Sequence, residues 1–126
     1  MNYLLDTNVL LFMLGAPDDL SEKAKGIILT EDRLFVSVAS LWEIAIKQSL
    51  GKLSISLSIP DLAEQCRLRD IRLIPISEEV LERIKSLPFL HKDPFDRLLI
   101  ALAQTENMTI VTKDDTIPKY SVQTVW

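Results

Sequence analysis

The sequence predicts an α/β domain of three layers, with a mainly parallel central sheet between helices on both faces. Three observations carry this. Short runs of Leu, Ile and Val alternate with segments whose apolar residues recur at helical spacing. At 126 residues and 48% hydrophobic content, the chain is long enough to bury a core without disulfides, as one domain over residues 1–126. Glycine is scarce, and no stretch of Gly, Ser and Pro is long enough to be a linker. Strand–helix alternation in so short a chain leads to a parallel sheet with helices on both sides.

Asn2 to Leu5 reads as the first strand, with Asp6 closing it. A helix starts near Thr7, runs to Leu14 and meets the stop signal Gly15-Ala16-Pro17. Ser21 to Thr30 is helical, with Ala24, Ile27 and Ile28 on one face. Leu34 to Val38 is β-like. Ser40 then reads as the N-cap of a helix through Leu50, with Glu43 at its third position as in a capping box and Gly51 ending it. Lys52 to Ile59 alternates Leu53, Ile55, Leu57 and Ile59 with polar residues, which fits a short exposed strand or an extended loop. Pro60 to Arg69 is helical, Ile71 to Ile76 a strand, and Ser77 to Leu87 a helix. Pro94 to Glu106 has the clearest helical pattern, with Asp93 as cap and Pro94 at the first helical position. Thr109 to Thr112 and Val122 to Val125 are the last strands.

The formal charge of −4 gives no positive support for a nucleic-acid partner. Location qualifies that total. With Asp6, Glu43, Asp96 and Asp114 set aside, 14 acids balance 14 bases, and Lys47, Lys52, Lys92, Arg97 and Lys113 lie beside the acidic segments. The single cysteine, Cys66, excludes an internal disulfide and fits a reducing cytoplasm. The longest apolar run, Val9 to Ala16, falls far short of the roughly 20 residues a membrane span needs. The N-terminus lacks the basic start of a signal peptide, and Asp6 interrupts its apolar stretch. A cytoplasmic protein without membrane association is expected.

Four acids carry the chemistry. Asp6 and Asp114 each fall at the carboxyl end of an expected strand, where parallel sheets place their ligands. Glu43 and Asp96 sit inside apolar helical segments. Acids in such settings are costly to bury unless paired, and one divalent cation pairs several at once. Each also has a local role to weigh. Asp6 suits an N-cap, a role compatible with ligation through its other oxygen. Glu43 suits a capping-box partner for Ser40, Asp96 a complement to the helix dipole, and Asp114 a turn with Asp115. Asp93 is the cap, with an outer contact to a metal as the alternative. Four such acids at element boundaries on one side of a sheet favour a shared site. Oxygen ligands suit Mg2+ or Mn2+, and no Cys/His cluster favours zinc.

Such a site points to a phosphate-rich substrate, since a bound cation can activate water and relieve charge on a phosphate. His91 is the only histidine, so a two-histidine ribonuclease mechanism is excluded within one chain. It is expected at the surface, ahead of the Asp93 cap. Cys66 is expected as a core or boundary thiol, and Trp42 and Phe95 as core packing.

In chain order, Leu4-Leu5-Asp6-Thr7-Asn8, Ser40-Leu41-Trp42-Glu43-Ile44-Ala45-Ile46-Lys47, His91-Lys92-Asp93-Pro94-Phe95-Asp96-Arg97-Leu98-Leu99-Ile100-Ala101 and Thr112-Lys113-Asp114 resemble the motifs of the PIN-domain ribonucleases. The resemblance spans nearly the whole chain, its third motif is the most specific, and its nearest subgroup is the VapC-type toxins of toxin–antitoxin systems. It implies a PIN-like fold and catalytic, metal-binding roles for Asp6, Glu43, Asp96 and Asp114. Asn8 and Thr112 become polar neighbours in the site. It further implies cleavage of RNA with magnesium or manganese, a homodimer, and a small antitoxin partner. An RNA-processing or 5′-nuclease role on the same fold is the nearer alternative. A magnesium-binding phosphoacceptor domain is the alternative from another class; it wants adjacent acids after the first strand and a lysine after the last, and neither is clear here. A haloacid-dehalogenase-type phosphatase wants an acid where Asn8 stands. A non-catalytic module would have no reason to keep four acids.

Overall fold

Leu4 and Leu5 are neighbours in one strand, yet they fill different cores, because successive side chains of a strand point to opposite faces. The computed structural model, which describes residues 1–126, builds outward from that strand. β1 (Asn2–Leu5) lies at the centre of a five-stranded sheet with β2 (Leu34–Ser37), β3 (Ile71–Ile74), β4 (Met108–Val111) and β5 (Gln123–Val125), in the order β3-β2-β1-β4-β5. Every pairing is parallel, and Leu4 aligns with Phe35 on one side and Ile110 on the other. This is the expected three-layer arrangement.

The helices are α1 (Thr7–Gly15), α2 (Glu22–Thr30), α3 (Val38–Ser49), α4 (Ile59–Leu68), α5 (Glu78–Ile84) and α6 (Pro94–Glu106). On one face, Val80 of α5 and Leu99 and Leu102 of α6 pack with Leu4 and Ile110. On the other, Val9 and Leu10 of α1, Ala24 of α2 and Leu62 and Cys66 of α4 pack with Leu5, Leu34, Val36 and Val111. α3 serves both, through Ala39 and through Leu41 and Ile44. Ser21, Ser58, Ser77 and Asp93 cap α2, α4, α5 and α6, each accepting a backbone N–H of the first turn. α3 ends at Gly51, whose φ of +68° is the left-handed value a helix stop needs, and Asn107 takes the same conformation, at 55°, after α6.

Lys52 to Ser58 is the extended loop of the two forms its alternation allowed. It joins no sheet. Leu53 and Leu57 pack against the second core while the serines face solvent, and Gln48 Nε2 donates to the carbonyls of Ile55 and Leu57 at 3.2 and 2.8 Å. No helix is long and apolar enough to cross a membrane.

Because Leu4 is fully buried on the central strand, Leu4→Ala should destabilise the protein by about 2–5 kcal/mol. Leu29→Ala, at a position 82% exposed, should stay within about 0.5 kcal/mol. Urea denaturation midpoints of the two variants check the pair.

Candidate metal centre

The acids gather at the carboxyl ends of β1 and β4. Asp6 follows directly on β1, and its amide donates to the Val111 carbonyl at 3.1 Å, so the sheet itself fixes where the carboxylate starts. As the cap of α1, Asp6 accepts the Asn8 N–H on Oδ1 at 2.6 Å. Its Oδ2 accepts the Thr112 hydroxyl, also at 2.6 Å. The residue is 5% exposed. Burial raises its pKa above the ordinary value; the bonds from Thr112, Asn8 and Val9 pull the other way, and Glu43 adds to the rise. Asn8 stands exposed at the rim of a shallow cleft of about 200 Å³ that it lines with Asp6, Phe12, Lys113 and Asp114.

Glu43 requires a correction. Ser40 does not cap α3. The chain turns from β2 straight into the helix, and Ser37, the last residue of the strand, accepts the Ala39 N–H at 3.0 Å. Ser40 is therefore inside the helix, where its hydroxyl accepts that of Thr7 at 2.8 Å and ties α3 to the start of α1. No capping box forms, and Glu43 loses that local explanation. It lies buried a turn further on. Lys47 Nζ meets Oε2 at 3.1 Å, while Oε1 is buried without a hydrogen-bond partner.

Asp93 caps α6 as expected, its Oδ1 accepting from Phe95 and Asp96 N–H at 2.8 and 3.1 Å. Asp96 stands at the third position with 21% of its side chain exposed. Burial, then the charges of Asp93 and Asp6, push its pKa up to about 7 against the pull of His91, with Asp114 adding to the rise. Asp114 behaves oppositely. Its burial is outweighed by the Ile117 and Thr116 N–H groups, 2.9 and 2.7 Å from Oδ1, and by His91, so its pKa lies below the ordinary value. Thr112 links the two strand ends, since the hydroxyl that donates to Asp6 also accepts the Asp114 N–H at 3.0 Å.

His91 is not the surface residue expected. Its side chain is 14% exposed, with Nε2 3.0 Å from Asp96 Oδ2 and donating to Asp114 Oδ2 at 3.2 Å. Nδ1 accepts the Asp93 N–H at 3.1 Å, which leaves Nε2 as the ring's donor. The Nε2 atom and one oxygen from each of Asp96 and Asp114 lie within 4.8 Å of one another. The available signal was the spacing: a histidine two residues before a helix cap sits at the mouth of that helix, where Asp96 also projects. Trp42 differs as well. Leu41 and Ile44 take the core positions of α3, so Trp42, about 100° round the helix from Leu41, is 58% exposed and meets the half-buried Phe95 edge-on at 5.1 Å. Cys66 is fully buried, and burial pushes its thiol pKa up, away from nucleophilic use.

A divalent cation fits this donor set. The orphaned Glu43 Oε1, the raised pKa values of Asp6 and Asp96, and a lining dominated by carboxylates describe a pocket short of positive charge. Oxygen donors of this kind suit magnesium or manganese.

An all-parallel α/β domain with acids clustered at its strand ends defines a class of protein, and comparison assigns the family. The model of the PIN domain matches residues 3–122, and the chain belongs to the PIN-domain family. No curated protein matches the chain. Among solved structures it is similar to VapBC2 from Rickettsia felis bound to a DNA fragment from their promoter. That match has 18% identity and a TM-score of 0.72, and covers 99% of this chain and 98% of that one. It is also similar to FitAcB from Neisseria gonorrhoeae (19% identity, TM-score 0.68, 98% and 96% covered). A toxin–antitoxin complex from Klebsiella pneumoniae aligns at 18% identity with a TM-score of 0.65, over 99% and 97% of the two chains. At these identities the likeness is one of fold.

The raised pKa of Asp96 ties metal-free stability to pH. Between the ordinary 3.8 and about 7, the folded state keeps a proton that the unfolded chain releases, so stability is greatest at the acid end of that window and falls as pH rises through it. Asp6, also raised, adds in the same direction. Asp114, lowered, contributes stability that is present above 3.8 and lost only as pH falls below it, so it does not oppose the trend. In metal-free buffer, thermal melts near pH 8 should lie below those near pH 5, and Asp96→Asn should flatten that difference without lowering the melt near pH 8. A clear loss of metal-free stability in Asp96→Asn would contradict a repelling cluster.

Proposed function

We propose that this protein is a divalent-metal-dependent endoribonuclease, the toxin of a type II toxin–antitoxin pair. One observation carries the reading: four carboxylates from separate parts of the sequence converge at the carboxyl end of the sheet, with one buried oxygen still unpartnered. Asp6 and Asp96 are the primary ligands of the cation, and Glu43 and Asp114 complete its surroundings, directly or through water. Bound there, magnesium or manganese supplies a water of lowered pKa and relief of charge on the scissile phosphate. The residues do the rest. Asp6 is oriented by Thr112 and the Asn8 N–H; Asn8 and the exposed Lys113 line the cleft where a backbone phosphate would lie. The expected products carry a 5′-phosphate and a 3′-hydroxyl.

The toxin assignment draws support from the solved relatives, among them a toxin–antitoxin complex from Klebsiella pneumoniae. The partner is then a small antitoxin, and the setting the cytoplasm. Self-association draws support from the surface. Val38, Trp42, Ile46 and Leu50 recur every four residues along α3, from 37% to 61% exposed, an apolar stripe beside the site. A second copy of the chain covers it.

Purified protein should cut single-stranded RNA with Mg2+ or Mn2+, lose activity in EDTA, and lose at least about 100-fold on Asp6→Ala or Asp96→Asn. Expression should arrest growth, and Asp6→Ala should relieve the arrest. Wild-type cleavage rates in Asp96→Asn would sink the reading. Stable, acid-labile labelling of Asp6 by a phosphoryl donor would favour the phosphoacceptor class instead. Trp42→Glu should convert a dimer to a monomer in analytical ultracentrifugation, with folding unchanged by circular dichroism.

A further inference from the structure

Three of the four acids are held by groups that have nothing to do with His91. Asp6 has the Asn8 N–H and the Thr112 hydroxyl, Glu43 has Lys47, and Asp114 has the Thr116 and Ile117 N–H groups. Asp96 has none of these. The single protein group that faces its carboxylate favourably is His91, with Nε2 at 3.0 Å from Oδ2. The other charges that act on it are negative: Asp93, Asp6 and Asp114.

His91 is itself immobilised. Its backbone N–H donates to the Tyr120 hydroxyl at 2.8 Å, and that hydroxyl donates to the Pro88 carbonyl at 2.7 Å while accepting the Leu90 backbone N–H at 3.1 Å. Arg97, 8% exposed, donates to the Pro88 carbonyl at 2.8 Å and lies within 3.4 Å of the Ile84 and Leu87 carbonyls. The segment before His91 is thus clasped from two sides. The Asp93 N–H on Nδ1 then fixes the ring and its tautomer together. A ring so held presents a hydrogen atom at Nε2, not a lone pair, so it does not serve as a metal ligand while the Asp93 bond lasts.

We propose that His91 is a positioning residue of the acidic centre: standing between Asp96 and Asp114 with its donor nitrogen fixed, it keeps the Asp96 carboxylate in the cluster and leaves its other oxygen for the cation. Asp114 receives the N–H and Asp96 lies against the same nitrogen, so one imidazole sets the spacing of both acids. Without it, Asp96 turns away from its negative neighbours towards solvent, and the site loses a donor. The inference rests on the metal-dependent reading above.

The test is Mn2+ binding by the full chain, followed by the electron paramagnetic resonance of the free ion. His91→Leu keeps the bulk of the ring and removes the donor; His91→Ala serves if leucine will not pack. Either should weaken Mn2+ binding about ten- to a hundred-fold. His91→Gln, whose amide restores a donor, should regain most of that loss, which a purely steric role would not allow. Pulsed measurements on the loaded wild type should detect no directly bound nitrogen. Unchanged or tighter binding in His91→Leu, equal losses in the leucine and glutamine variants, or a strong 14N coupling would each overturn the proposal. Asp96→Asn is the control that separates the two readings. If the wild type binds Mn2+ and Asp96→Asn does not, the metal site stands whatever His91 does. If the wild type fails to bind, the metal-dependent function falls and this inference with it.

Discussion

Carboxylates that share a pocket repel, and in this protein the four are restrained unequally. Asp6 and Asp114 sit at strand ends where backbone N–H groups of the following turn converge on an oxygen. Those amides cost nothing extra, because a turn or helix start must leave them without main-chain partners. Glu43 relies on a lysine one turn along the same helix, which satisfies one oxygen only. Asp96 has the weakest hold, and burial with the charges of Asp93 and Asp6 pushes its pKa up to about 7. The unevenness matters chemically. A set of acids fully satisfied by the protein would have little left to offer a cation, whereas here the unmet demand is concentrated on Glu43 and Asp96.

The parallel sheet makes such a gathering possible. With β1 between β2 and β4, the chain leaves three adjacent strands on the same side, and each exit supplies part of the site. β1 delivers Asp6 within a residue of its end, β4 delivers Thr112 and Asp114, and β2 runs into α3, which carries Glu43. The Thr7–Ser40 and Thr112–Asp6 bonds cross-link these exits beneath the carboxylates. α6 supplies Asp96 from its first turn, and its fully buried Ile100 and Ala101 fix the helix against the sheet.

Much of this was legible because the signals are local. Pro94 behind Asp93, the serine caps, and apolar runs ending in an acid each report on a few neighbouring residues, and α6 begins and ends where its pattern says. What was misread depended on competition or on distance. With the strand read as Leu34 to Val38, Ser40 is the first serine able to cap, but β2 ends at Ser37 and turns directly into α3, so Ser37 is the cap. That choice rotates nothing but removes the bland role of Glu43. Trp42 reads as core from its chemistry alone, yet Leu41 and Ile44 already fill the inward face. Lys52 to Ile59 reads as either a strand or an extended loop, because alternation alone does not separate them; Gln48 takes up the carbonyls of Ile55 and Leu57, and the segment runs as the loop.

His91 was hidden for a further reason. Its spacing from the Asp93 cap puts it near the start of α6, but the path that turns the ring onto the carboxylates is set from far along the chain. That path is set by Tyr120, whose hydroxyl engages Pro88, Leu90 and His91 from thirty residues away, and by Arg97, a buried guanidinium with no carboxylate partner. Arg97 donates to carbonyls instead: that of Ile84 at the carboxyl end of α5 and those of Leu87 and Pro88 beyond it, with the Phe89 ring over its face at 4.5 Å. Helix carboxyl ends carry partial negative charge, so this is a favourable seat for a cation. The arrangement puts a fixed positive charge one residue from Asp96 without letting it form an ion pair there. An arginine free to reach the acids would fill the site with a permanent counter-ion, and a metal would have to displace it. Holding the loop with Arg97 keeps the carboxylates available, while the same loop brings them His91, whose fixed ring offers one hydrogen-bond donor in place of a permanent charge.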